Sequence, residues 1–139
     1  MDLAMLHLSI PIADIGTTLA FYRDLLGCRA ARIEPDRIDF EFFGHHLVAQ
    51  PSPEEAAHRT VNIGKQNYPL RHFGVIMPRE QFERIAARLR AVGTEFAMPP
   101  EQIFTGTPRE QQVLIALDPS GNAIELKSMP DPQQVFTPH

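Results

Sequence analysis

Two histidines and a glutamate each stand in a short apolar run with alternating character. His7 lies in Leu6-His7-Leu8-Ser9-Ile10, His72 in Arg71-His72-Phe73-Gly74-Val75, and Glu125 in Ala123-Ile124-Glu125-Leu126-Lys127. Side chains along a strand point alternately to opposite faces, so the aliphatic residues of each run go one way and the three polar groups the other. Two imidazoles and one carboxylate are a donor set for a divalent metal that keeps coordination positions open. A single histidine in a strand is more often a satisfied core or edge residue. Three donors in equivalent settings favour the metal, because Glu125 between Ile124 and Leu126 needs a partner if its charge is buried. Lys127, two residues on, is the competing partner.

The elements that position these residues occur twice. Residues 4–11 read as a strand ended by Pro11, and Asp14 caps a helix with Ile15, Leu19, Tyr22, Leu25 and Leu26 at helical spacing until Gly27. Residues 70–77 read as the equivalent strand, followed after Pro78 by a helix with Phe82, Ile85, Ala86, Leu89 and Val92 on one face, stopped by Gly93. His7 and His72 are 65 positions apart, and Gly27 and Gly93 are 66. Three strands follow each helix, at 29–33, 37–43 and 45–50 and at 94–98, 111–117 and 122–128, with turns at Glu34-Pro35-Asp36, Phe43-Gly44 and Asp118-Pro119-Ser120-Gly121-Asn122. The second half adds a longer excursion over 99–110.

The expected fold is therefore α+β, a single domain of two βαβββ modules forming an open, barrel-like mixed-sheet cleft. Module one spans 1–51, a linker or flap 52–69, module two 70–129 and a tail 130–139. Each helix covers one sheet face, leaving His7, Ser9, His46, His72, Gly74, Glu125 and Lys127 on the other. Aligning Gly44 with Gly121 sets Val48 opposite Glu125, so the fourth position of the repeat has no donor. His46 and Gln50 flank Val48 on its face, and His46 is the stronger candidate for ligation or proton transfer near neutral pH.

The 139 residues are 43% hydrophobic and 22% charged, which allows one ordinary core. A net charge of −4 with no basic run argues against nucleic acid and anionic membranes as partners. No apolar stretch approaches the roughly 18–20 residues of a membrane span, and the opening residues carry no signal-peptide pattern, so a cytoplasmic protein is expected. The lone Cys28 reads as a packing residue.

The motifs Ala20-Phe21-Tyr22-Arg23-Asp24-Leu25-Leu26-Gly27, His72-Phe73-Gly74-Val75 and Asp118-Pro119-Ser120-Gly121-Asn122-Ala123-Ile124-Glu125, together with His7, resemble the vicinal oxygen chelate superfamily of glyoxalases, bleomycin resistance proteins and extradiol dioxygenases. The resemblance spans nearly the whole chain. It implies a divalent metal held by His7, His72 and Glu125, with iron(II) or manganese(II) favoured and zinc or nickel as alternatives, chelating two oxygens of a small-molecule substrate. It also implies a homodimer in which modules complete a site within one chain or between two. Glyoxalase I carries a glutamate where this chain has Val48. His46 and Ser9 are the catalytic candidates, and Gln50, Gln111, Arg109 and Tyr68 the substrate-binding ones. The bland alternative for Arg109 and Glu110 is a solvated turn pair. The leading expectation is a metal-dependent, dioxygenase-type enzyme of the ring-cleaving kind. The alternatives are a small-molecule binding or antibiotic-resistance protein without turnover, and glyoxalase or epoxide-opening chemistry.

Overall fold

The computed structural model describes residues 4–56, 60–63, 66–69, 71–136 and 138, with backbone only at 60–63 and 66–68. It holds two four-stranded mixed sheets. In the first, β1 (His7–Ile12), β2 (Arg29–Glu34), β3 (Arg37–Phe42) and β4 (His45–Pro51) run in the order β1-β4-β3-β2. Strands β5 (Thr60–Ile63) and β6 (Gln66–Pro69) form a separate antiparallel hairpin within the segment expected to be a linker or flap. The second sheet takes β7 (His72–Ile76), β8 (Phe96–Ile103), β9 (Gln111–Leu117) and β10 (Ala123–Ser128) in the order β7-β10-β9-β8. In each sheet the first and last strands of the module pair in parallel, and the other pairings are antiparallel. Neither sheet closes into a barrel. By contacts the chain divides into unit 1, residues 4–56 with the turn 118–122, and unit 2, residues 60–117 and 123–136, over the described residues.

A parallel pair needs a crossover, and a helix supplies it in each module. Asp14 caps the first, α1 (Ile15–Leu19), accepting from the Thr17 amide at 2.7 Å. That hydrogen bond holds its carboxyl below the usual range. From Ala20 to Leu25 the helix widens into a π turn, in which the Leu26 amide reaches back to the Phe21 carbonyl. The wider turn makes Phe21, Tyr22 and Leu26 the buried residues, while Leu19 and Leu25 stay only partly covered. Tyr22 packs 5.2 Å from Phe40 on the sheet face that also buries Ile10, Ile12, Ile38 and Leu47. Phe43 and Gly44, both at positive φ, form the two-residue turn between β3 and β4, a turn whose twist matches a hairpin.

In unit 2, α2 (Arg79–Ala91) buries Phe82, Ile85, Ala86 and Leu89 and packs on β10. Val92 is 62% exposed rather than part of that face. The helix ends at Ala91, and the reversal through Gly93 at φ +71° carries Val92 off the apolar stripe. Strand β8 also runs further than expected, through Pro99 and Pro100 to Ile103. It is an edge strand with two register shifts against β9, where prolines need no ladder hydrogen bond.

The turn 118–122 is built around a buried carboxylate. Asp118 accepts from the amides of Ser120 and Asn122, from the Asn122 side chain and from the Tyr22 hydroxyl at 2.9 Å. Burial raises the pKa of Asp118 and pushes the Tyr22 phenol well above its ordinary range. Removing the hydroxyl leaves the carboxylate short of one donor. Tyr22→Phe should therefore lower the unfolding free energy by about 1–3 kcal/mol, read as a lower urea midpoint with an unchanged slope; an unchanged midpoint would show the bond to be dispensable.

Candidate metal and substrate site

Unit 2 brings two of the expected donors together. The register sets His72 beside Ala123 and Gly74 beside Glu125, so the His72 and Glu125 side chains lie diagonally across the β7–β10 pair. His72 Nε2 stands 2.9 Å from Glu125 Oε2, and His72 Nδ1 is 2.7 Å from the Pro69 carbonyl. A carbonyl only accepts, so the Nδ1 must carry the proton and donate it. In the neutral ring this leaves Nε2 as a lone pair aimed at a carboxylate oxygen. Two acceptors at that distance need a proton or a cation between them. Two ligands each roughly 2.1 Å from one metal and about 90° apart would be separated by about 3 Å, which the pair matches. The donor set fits a divalent metal. Glu125 Oε1 also lies 3.2 Å from Lys127 Nζ, so the competing ion pair is present at the other oxygen.

This close pairing depends on Gly74. A Cβ there would collide with the Glu125 carbonyl, so no other residue lets β7 lie this close to β10. Beside the pair on the Glu125 face, Val113, Ile115, Leu117, Ala123 and Met98 form a buried apolar cluster. Among the described residues no three His, Cys, Asp or Glu side chains are gathered in the manner of a complete metal centre. Unit 2 thus presents two donors of such a set.

Unit 1 holds His7, and there the register pairs it with His46. The two Nδ1 atoms are 2.9 Å apart, and His46 Nε2 is 2.8 Å from Asp39 Oδ1. Val48 pairs with Ser9 as Glu125 pairs with Gly74, so Val48 does occupy the position equivalent to Glu125. It is buried and supplies no donor. The Ser9 hydroxyl donates to Gln50 Oε1 at 2.7 Å, joining two further candidates on the His7 face. His45 points to the opposite face by alternation and accepts from the Leu6 amide.

Other candidates stand apart. Gln111 is four positions along β9 from Ile115, the cross-strand neighbour of Glu125, a span of about 13 Å at roughly 3.3 Å per residue. It is buried, its amide nitrogen donates to the Arg109 carbonyl, and its Oε1 has no hydrogen-bond partner among the described residues. Arg109 lies 4.9 Å over the Phe104 ring, and Glu110 accepts from the Gly106 amide, in place of a simple solvated turn pair. The Tyr68 side chain lies outside the described residues. Cys28 is buried in unit 1, where burial pushes its thiol up to about 12.

Asp39 is the site residue that the sequence reading missed. Its side chain is nearly buried and accepts from Arg37 at 2.6 and 3.0 Å, from Arg32 at 2.8 Å and from His46. Arg37 first, then His46 and Arg32, holds its carboxyl well below the usual carboxylate range against the opposing effect of burial. The signal was present: in Arg37-Ile38-Asp39-Phe40-Glu41-Phe42 the same alternation that singles out Glu125 puts Asp39 on the face of His46.

Paired βαβββ modules, each opening on a strand histidine and one closing on a strand glutamate, define a small α+β domain class. A profile of the Glyoxalase/Bleomycin resistance protein/Dioxygenase superfamily matches residues 4–126, and the chain belongs to that superfamily. The crystal structure of a glyoxalase/bleomycin resistance protein/dioxygenase from Alicyclobacillus acidocaldarius is 33% identical over 92% of each chain, with a TM-score of 0.74. Two more distant structures share the fold. The fosfomycin resistance protein FosX of Listeria monocytogenes is 17% identical over 92% of this chain and 94% of its own, with a TM-score of 0.70. Lactoylglutathione lyase of Agrobacterium tumefaciens is 18% identical over 90% and 92%, with a TM-score of 0.63. No curated protein matches the chain.

Two outcomes test this geometry. Gly74→Ala should break the β7–β10 pairing, giving a large loss of thermal stability or of soluble protein; a melting temperature within a few degrees of the parent would refute the close approach. Asp39→Asn should cost about 1–3 kcal/mol at pH 7. Because the folded pKa of Asp39 is depressed, its contribution is complete above the unfolded value of about 4 and fades as pH falls through the folded value. The stability gap between parent and variant should therefore narrow in acid, and equal gaps at pH 7 and about pH 2.5 would contradict the assignment.

Proposed function

We propose that this chain is a divalent-metal-dependent enzyme that binds a small oxygenated substrate through two oxygens, with ring-cleaving dioxygenase-type chemistry as the favoured subclass. The reading rests on one observation: His72, with Nδ1 committed to the Pro69 carbonyl, presents Nε2 to Glu125 Oε2 at 2.9 Å. Divalent metals are general in the superfamily. When bound, the metal supplies a Lewis acid for the substrate oxygens and, as iron(II), a position for O₂.

The protein's own residues do the positioning. The Pro69 carbonyl sets the orientation and tautomer of His72, and Lys127 balances the second oxygen of Glu125. His7 completes the donor set from module one of the same chain or of a second copy in a homodimer. Val48 at the fourth position leaves room for substrate in place of a protein ligand. Ser9 and Gln50 offer a hydroxyl and an amide on the His7 face to orient polar substrate groups, and Gln111 Oε1, which has no hydrogen-bond partner among the described residues, can accept from a substrate donor. We assign the protein to the cytoplasm, where its single buried thiol needs no partner.

Elemental mass spectrometry on protein purified without chelators should find close to one iron or manganese per chain, lost in His72→Ala, Glu125→Ala and His7→Ala. Catechols should then drive oxygen consumption by the loaded protein. Metal retained in His72→Ala and Glu125→Ala would overturn the ligand assignment. No metal after reconstitution with Fe(II), Mn(II), Zn(II) and Ni(II) would make the chain a binding or resistance protein, and full metal without oxygen uptake would move it to oxygen-independent chemistry.

A further inference from the structure

We infer that Asp39, acting through His46, sets the tautomer of His7 so that His7 presents a free Nε2 lone pair. The argument follows the hydrogen bonds outward from the carboxylate. Asp39 is 5% exposed, and its two oxygens are held by Nε and Nη2 of Arg37 and by Arg32. A carboxylate gripped by two guanidinium groups is ionised, and an ionised carboxylate only accepts. His46 Nε2, 2.8 Å from Oδ1, must therefore carry the proton. In the neutral ring that leaves His46 Nδ1 as an acceptor, and the atom facing it at 2.9 Å is His7 Nδ1, which must then be the donor. His7 is left with a bare Nε2, which makes no hydrogen bond among the described residues. The rings stand 4.7 Å apart between centroids and are tilted by 48°, so the contact is a directed hydrogen bond rather than a stack.

The second module reaches the same state by other means. There the Pro69 carbonyl takes the Nδ1 proton of His72 directly. At the place of His46 it has Ala123, which cannot take part. Module one thus uses two side chains for what a backbone carbonyl does in module two, and ties the ring of His7 to an Arg–Asp–Arg cluster. Outer partners of this kind fix ring orientation and raise ligand basicity, and losing them typically weakens metal binding about 10–100-fold. His46 is in this view a positioning residue, not an acid or base. The inference rests on the proposed function only in naming the metal as what the lone pair receives.

The test reads the tautomers directly. Two-dimensional proton–nitrogen spectra of the imidazoles in the metal-free full chain, at about pH 8 where histidine is ordinarily neutral, should show His7 protonated at Nδ1 and His46 at Nε2. His46→Phe should shift His7 toward Nε2 protonation and weaken Mn(II) binding, followed by the resonance of free Mn(II), by about 10–100-fold. His46→Gln, whose amide can accept from His7 and donate to Asp39, should restore both, which a proton-shuttling His46 would not allow. Asp39→Asn, which leaves β4 and His46 in place, should weaken the tautomer preference if His46→Phe fails to fold. His7 protonated at Nε2 in the parent, or a His7 tautomer indifferent to His46→Phe and Asp39→Asn, would overturn the inference. A His46-dependent tautomer together with Mn(II) affinity unaffected by His7→Ala would uphold the relay and instead refute His7 as a metal ligand.

Discussion

Parallel pairing between the first and last strand of each module is the constraint from which the rest of the structure follows. Such a pair cannot be closed by a tight turn, so a helix must cross one sheet face, and the apolar side chains of all four strands must turn toward it. The opposite face is then where polar residues collect. Pairing also decides which of them meet: His7 with His46, Ser9 with Val48, His72 with Ala123 and Gly74 with Glu125. Register alone makes one module a two-histidine relay and the other a histidine–carboxylate pair.

Among the described residues, three partly or fully buried strand and turn carboxylates, Asp118, Asp39 and Glu125, are each compensated differently. Asp118 is satisfied mainly by neutral donors, and burial raises its pKa. Asp39 is met by two guanidinium groups and an imidazole, and its pKa is depressed. Glu125 is met, among the described residues, by His72 and Lys127, at the edge of an apolar cluster. A carboxylate with dedicated neutral donors is suited to holding a turn, and one clamped by arginines to anchoring a neighbour. One that faces the lone pair of a tautomerically fixed histidine is suited to holding a cation.

Much of this was legible in the chain. Period-two alternation put His7, His72 and Glu125 on the polar face, helical spacing and Gly27 and Gly93 bounded the crossovers, and matching Gly44 with Gly121 set Val48 opposite Glu125. These are local rules, and they depend only on which residues are neighbours along the chain. The errors were local as well. The π turn displaced the buried stripe of the first helix by a fraction of a turn, and β8 ran through two prolines because it is an edge strand. Spacing cannot show which ladder a strand joins.

The sequence by itself therefore determined the fold class, the modules and the residue types available for chemistry, because alternation and turn propensity are properties of short segments. Only the tertiary structure decided who partners whom. Nothing local says that the Tyr22 hydroxyl meets Asp118, that a Cβ at position 74 would strike the Glu125 carbonyl, or that Arg32 and Arg37 converge on Asp39 beside His46. Those meetings arise when distant strands fall into register, and hydrogen-bonding distances of about 3 Å are set by that register rather than by any one segment.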